Sequence, residues 1–165
     1  MRKAAEAPDR NDYVFVVAKL EYGGYDVAAR QIFACLTAAK RWLLPSYACY
    51  ARALRRGDRV LIYIAGPRER VFTADAVLAA GVREMNQQDR QIAAELRLLD
   101  FEQAVDFDRI SLWTVPVPLS PLTTSLRFIR DKRYPGQYLR HGVVRLEPGD
   151  FDVAVKARRV RRNPG

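Results

Sequence analysis

The sequence predicts an α+β domain, a sheet with helices laid on it, from three observations. Residues 54–66 (L-R-R-G-D-R-V-L-I-Y-I-A-G) set a tight-turn dipeptide, Gly57-Asp58, ahead of an apolar, β-branched run short enough to be one buried strand. After Gly66-Pro67 and the charged turn Arg68-Glu69-Arg70, a second apolar run over residues 71–80 completes a β-hairpin, the seed of the sheet. Around residues 29–36 and again around 92–99, apolar side chains recur at helical spacing, which gives two helices with one face for that sheet.

A chain of 165 residues, 49% of them hydrophobic, has enough core for one domain and excludes global disorder. No apolar run approaches the roughly 20 residues that span a bilayer, so a soluble protein without a membrane partner is expected. The N-terminus, M-R-K-A-A-E-A-P-D-R-N-D, lacks the apolar core of a signal peptide, which predicts a cytoplasmic protein. Two cysteines, Cys35 and Cys49, and one histidine, His141, are too few and too scattered for a zinc site. No metal, cofactor or disulfide is expected. The net charge of +9 favours polyanions through counterion release.

In chain order, residues 1–12 balance three basic against three acidic side chains around Pro8 and read as a disordered leader. Residues 13–20 (Y-V-F-V-V-A-K-L) predict a strand buried on both faces, followed by a loop. Asp26 is the expected cap of the first helix, in which Ala29, Ile32, Phe33 and Leu36 share a face up to Lys40-Arg41. Trp42, in R-W-L-L-P, then sits on a helix-to-proline junction, where it reads equally as a core-edge tryptophan or as a pocket wall. Tyr47 and Tyr50 lead irregularly into the hairpin, where Asp58 is expected to cap the turn by accepting backbone hydrogen bonds.

Beyond the hairpin, residues 86–100 place Ile92, Leu96 and Leu99 on one helical face. Residues 107–119 form a strand with Ile110, Leu112 and Thr114 on one side and Ser111, Trp113, Val115 and Val117 on the other. Pro116, Pro118 and Pro121 stop it and suggest a sheet edge. Residues 121–126 make a helical turn, 142–146 a closing strand, and 147–151 turn into a last short helix. The end of the chain then carries Lys156, Arg158, Arg159, Arg161 and Arg162, a basic flexible tail over 156–165 that either solubilises or acts as an electrostatic arm.

One stretch carries chemistry. Residues 128–145 (F-I-R-D-K-R-Y-P-G-Q-Y-L-R-H-G-V-V-R) interleave five Arg/Lys with Phe128, Tyr134 and Tyr138. Cations can neutralise phosphates while rings stack on unpaired bases; the alternative is a solvated basic loop anchored by its aromatics.

Taken together, the opening Y-V-F-V-V, the helix leading to R-W-L-L-P, the hairpin G-D-R-V-L-I-Y-I-A-G with V-F-T-A-D-A-V, and the late basic stretch with its D-F ending resemble the EVE domain. That family is PUA-like and related to the YTH and ASCH domains, and the resemblance runs over residues 13–155. It implies a mixed β-barrel with peripheral helices and an aromatic pocket for a flipped, modified base of DNA or RNA. By resemblance Trp42 and Tyr63 are the pocket walls, Ala18, Lys19, Leu43 and Pro45 line the mouth, and Phe128, Arg130, Lys132, Arg133 and Tyr138 form the nucleic-acid rim. A separate effector nuclease or modification enzyme is the implied partner.

Two rivals remain at the level of sequence. An ASCH-like enzyme acting on RNA or a modified nucleoside lacks a recognisable nucleophile-base motif, so no catalytic residue is assigned. The other rival, an interaction module for an acidic protein partner, would bind without regard to base identity.

Overall fold

A computed structural model describes residues 10–22, 25–140 and 142–162. The first nine residues of the expected leader lie outside them. The elements are β1 (Asp12–Val17), β2 (Leu20–Tyr22), β3 (Tyr25–Val27), α1 (Ala29–Ala38), β4 (Arg41–Pro45), β5 (Arg59–Ile64), β6 (Val71–Leu78), β7 (Arg83–Glu84), α2 (Gln87–Leu96), β8 (Phe101–Pro118), β9 (Val143–Arg145) and α3 (Asp150–Arg162). Seven strands form one sheet in the order β4-β8-β6-β5-β1-β9, with β7 also on β8, while β2 and β3 pair with each other. Only β1 and β5 run parallel among these pairs, so the sheet is mixed. It curls into a half-barrel with three peripheral helices, as the sequence led us to expect.

The central strands explain the two-sided core. In β1, Tyr13, Phe15 and Val17 enter one apolar cluster and Val14 and Val16 the other, because successive side chains leave opposite faces. In β5 the same alternation sends Val60, Ile62 and Ile64 to the first cluster and Leu61 and Tyr63 to the second. The first cluster is closed by α1, α2 and β4; the second by residues 119–139 and α3. At the turn before β5 the Asp58 carboxylate accepts from Arg55 N and Asn11 N, each at 2.9 Å, while Gly57 takes φ +88°. This is the capping role expected of Asp58, and it extends order to Asn11 and Asp12. Arg59 grips Asp12 through two 2.8 Å hydrogen bonds.

Several expectations are corrected. Asp26 lies in β3, 3.1 Å from Lys19, and caps nothing; Ala28 precedes α1 without a side-chain cap. R-W-L-L-P is strand β4 rather than a helix exit, since it finds an antiparallel partner in residues 101–106, far along the chain. Leu99 is exposed because Arg97, at φ +56°, ends α2 before the helical face reaches it. The prolines of β8 do mark a sheet edge: β4 and β7 pair only with residues 101–106, so residues 107–118 have β6 alone as a partner among the described residues. Between Phe72↔Val117 and Ala74↔Leu112 the register slips, and the bulge of residues 113–116 holds Pro116 where no ladder N–H is required. The slip also breaks the expected alternation, leaving Val115 exposed while Trp113 and Val117 are buried.

The basic tail is not a free segment from residue 156. Helix α3 continues to Arg162, and the Arg158 guanidinium reaches Asp75 at 3.5 Å and lies over the Trp113 ring, 5.6 Å from its centroid. Trp113 Nε1 donates to the same Asp75 carboxylate at 2.6 Å. At the start of α3, buried Asp150 accepts from the backbone N–H groups of Arg127, Phe128 and Glu147, which ties the basic stretch to the helix.

Candidate functional site

Where β1 ends at Val17, the chain leaves the sheet beside β4 and opens a cavity of about 440 Å³. Its floor is Val16, Val17 and Ala18, its walls are Ile32 and Leu36 of α1 and Trp42 to Pro45 of β4, and Tyr47, Cys49 and Arg140 stand among its remaining lining. An apolar body with a few polar groups at this size is the usual make-up of a small-ligand site. Of the residues assigned by resemblance to the pocket, Ala18, Trp42, Leu43 and Pro45 line this cavity together.

Two do not. Tyr63 leaves β5 on the opposite face, where it packs against Phe72 with ring centroids 5.1 Å apart; strand alternation, not distance along the chain, separates it from Trp42. Burial pushes its phenol up to about 12, so it stays neutral. Lys19 turns away to Asp26. Trp42 itself is only 3% exposed and stacks on Phe15 at 5.9 Å and 28°, with Phe107 completing a trio of rings. The two readings of this residue, core edge and pocket wall, thus describe one side chain.

Two clefts adjoin the cavity, sharing one and two lining residues with it. The first, about 820 Å³, meets it at Cys49 and is bordered by Tyr50, Phe128, Arg130, Tyr138 and Arg145. The second, about 520 Å³, meets it at Ala18 and Arg140 and is bordered by Arg70, Arg133 and Tyr134. The rim residues therefore divide between the two sides. Phe128, buried in the second cluster, meets Tyr138 edge-on at 6.5 Å, and the Tyr138 hydroxyl accepts from Asp131 N at 2.8 Å. Lys132 lines neither cleft; its ammonium donates to the Leu126 carbonyl at 2.6 Å. Arg133 binds Asp131 at 3.2 Å, and the salt link holds the Asp131 carboxyl below its ordinary range.

Arg70, Arg130 and Arg140 are exposed. Of these, Arg70 and Arg140 lie outside the residues singled out from sequence, as do Tyr47 and Tyr50, which are 76% and 47% exposed. Arg140 stands within the basic stretch and was available to that reading. Arg70 and Tyr50 were not, because only the fold brings their loops to the cavity.

No protein-family profile matches the chain, and no curated protein is similar to it in sequence. Its architecture does have solved counterparts. A hypothetical protein from Leishmania major superposes with a TM-score of 0.63 at 15% identity, over 96% of this chain and 100% of that one. Human THYN1, solved in complex with DNA containing 5-methylcytosine, gives 0.59 at 12% identity over 90% and 97%, and ASCH from Zymomonas mobilis gives 0.52 at 12% over 90% and 96%. This is the PUA-like fold. At these identities the likeness is one of PUA-like architecture, of the kind shared by EVE/THYN1 and ASCH domains.

Proposed function

We propose that this chain is a nucleic-acid-binding module that holds one flipped, modified base in the cavity bounded by Ala18, Trp42, Leu43 and Pro45. The observation that carries the reading is the placement of an apolar, aromatic-edged cavity between two clefts lined by arginines and tyrosines. Extruding a base costs a few kcal/mol, which burial in such a cavity can offset, while cations along the rim hold the phosphates on either side. The THYN1 complex with 5-methylcytosine-containing DNA gives the same architecture a ligand of this chemistry.

The test is an anisotropy panel of short single and double strands carrying plain or modified cytosine and adenine at one position, at fixed salt. A reader favours one modified base and releases it unchanged by mass. Equal affinity for every base, or a converted base, would sink the proposal.

A further inference from the structure

We infer that the two clefts beside the cavity are stacking sites for the bases that flank the flipped one, with Tyr50 in one cleft and Tyr134 in the other, so that the ligand is an unpaired strand. The inference rests on the reading above for the central base. Its own observations are separate.

The cavity and the clefts form a continuous path, since the first cleft shares Cys49 with the cavity and the second shares Ala18 and Arg140. Each cleft presents one large ring to solvent, Tyr50 at 47% and Tyr134 at 62% exposure, whereas Trp42 in the cavity wall is buried. Each ring is also backed. Tyr50 leans on buried Tyr13, with centroids 6.3 Å apart, and the Arg133 guanidinium, itself held by Asp131, sits 5.8 Å from the Tyr134 centroid. A ring supported on one side and open on the other is a stacking platform that loses little freedom when a base settles on it.

Tyr50 carries a further sign. Its φ is +63°, in the left-handed region that disfavours a bulky residue. Of the other non-glycine residues in that region, Lys40 and Arg97 follow helix ends and Arg70 closes the hairpin, where such a conformation is common. Tyr50 does neither, and left-handed backbone at a bulky residue is of the kind that clusters at ligand sites. Cations accompany both platforms, Arg130 and Arg145 in the first cleft and Arg70 and Arg140 in the second, which suits a backbone passing over the cavity mouth. Base faces are available to tyrosine only where the strand is unpaired.

The experiment uses a fluorescein-labelled seven-nucleotide strand with 5-methylcytosine at its centre, together with versions lacking the base at the centre, at the position before it or at the position after it. Tyr50→Gly and Tyr134→Ala are each expected to weaken binding about fivefold or more. One loss should vanish on the strand missing the preceding base and the other on the strand missing the following base. Tyr50→Phe, which keeps the ring, should bind as the parent does, and Tyr50→Gly should stay folded because glycine accepts the left-handed backbone. Variants that bind like the parent, losses that persist whichever flanking base is missing, or equal affinity for the same sequence as a duplex would overturn the inference. Failure of the underlying reading looks different: removal of the central base would then leave affinity unchanged.

Discussion

Under the proposed function Trp42 couples stability to recognition, because the ring that borders the cavity is the one stacked on Phe15. Truncating it to alanine should cost about 3–5 kcal/mol, the usual penalty for emptying a buried aromatic site. Trp42→Phe should keep most of the packing and reduce only the preference for the modified base, as urea denaturation and anisotropy on the same samples would reveal. If Trp42→Phe retains full base preference, the indole belongs to the core alone. At this scale the sequence was partly readable. Asp58 announced its turn through its neighbour Gly57, whereas Tyr63 could be read as buried but not assigned a face relative to Trp42, since the two sit on strands joined only through intervening neighbours.

Helix α2 is held by one buried carboxylate. Asp89 closes a capping box with Asn86 and also receives Arg41 at 2.8 Å and Arg83, so it joins α2 to β4 and β7. Burial raises its pKa, but hydrogen bonds from Arg83, the Asn86 backbone and Arg41 outweigh that and hold it at about 2. A depressed folded-state pKa contributes stability above the unfolded value, near 4, that is lost as pH falls towards 2. The parent should lose about 2 kcal/mol over that window. Asp89→Asn should be less stable at neutral pH and show a flatter melting profile there; an unchanged acid slope would remove Asp89 from the account. Helix α3 supports a second expectation. Deleting residues 156–165 should destabilise by about 1–2 kcal/mol, because Arg158 would no longer reach Asp75 and Trp113, measured by chemical denaturation. The sequence showed α3 only as a short helix running into a charged tail, and R-W-L-L-P as a junction, because the partners that define both lie far away in the chain.

Over the whole molecule, the +9 charge favours polyanions but does not say where they would lie. The fold gathers Arg70 and Arg140 on one side of the cavity from the hairpin turn and the basic stretch. Replacing both with glutamine should weaken all sequences alike and lower the slope of log affinity against log salt by about one for each phosphate left without its arginine. A constant slope would mean that neither meets a phosphate. The α+β class was accessible because hairpin and helix periodicities are local signals. The cavity was less so, since its lining comes from five separate segments that only the fold brings together.

The parallel pairing of β1 with β5 carries a consequence for how the molecule is made. The β5-β6 hairpin and β8 are antiparallel neighbours in sequence order, whereas Tyr13 must wait for Val60 on one side and Arg145 on the other. Closing such distant pairs is entropically slow, so β1 should acquire amide protection after β5, β6 and β8 in pulse-labelled hydrogen exchange. A strand made before its partners is then among the last to dock. Until then Val14, Phe15, Val16 and Val17 stand as an uncovered sticky segment, a point at which a nascent chain is open to aggregation or to a chaperone. As the end of this strand lines the cavity, the cavity is complete only when β1 has docked.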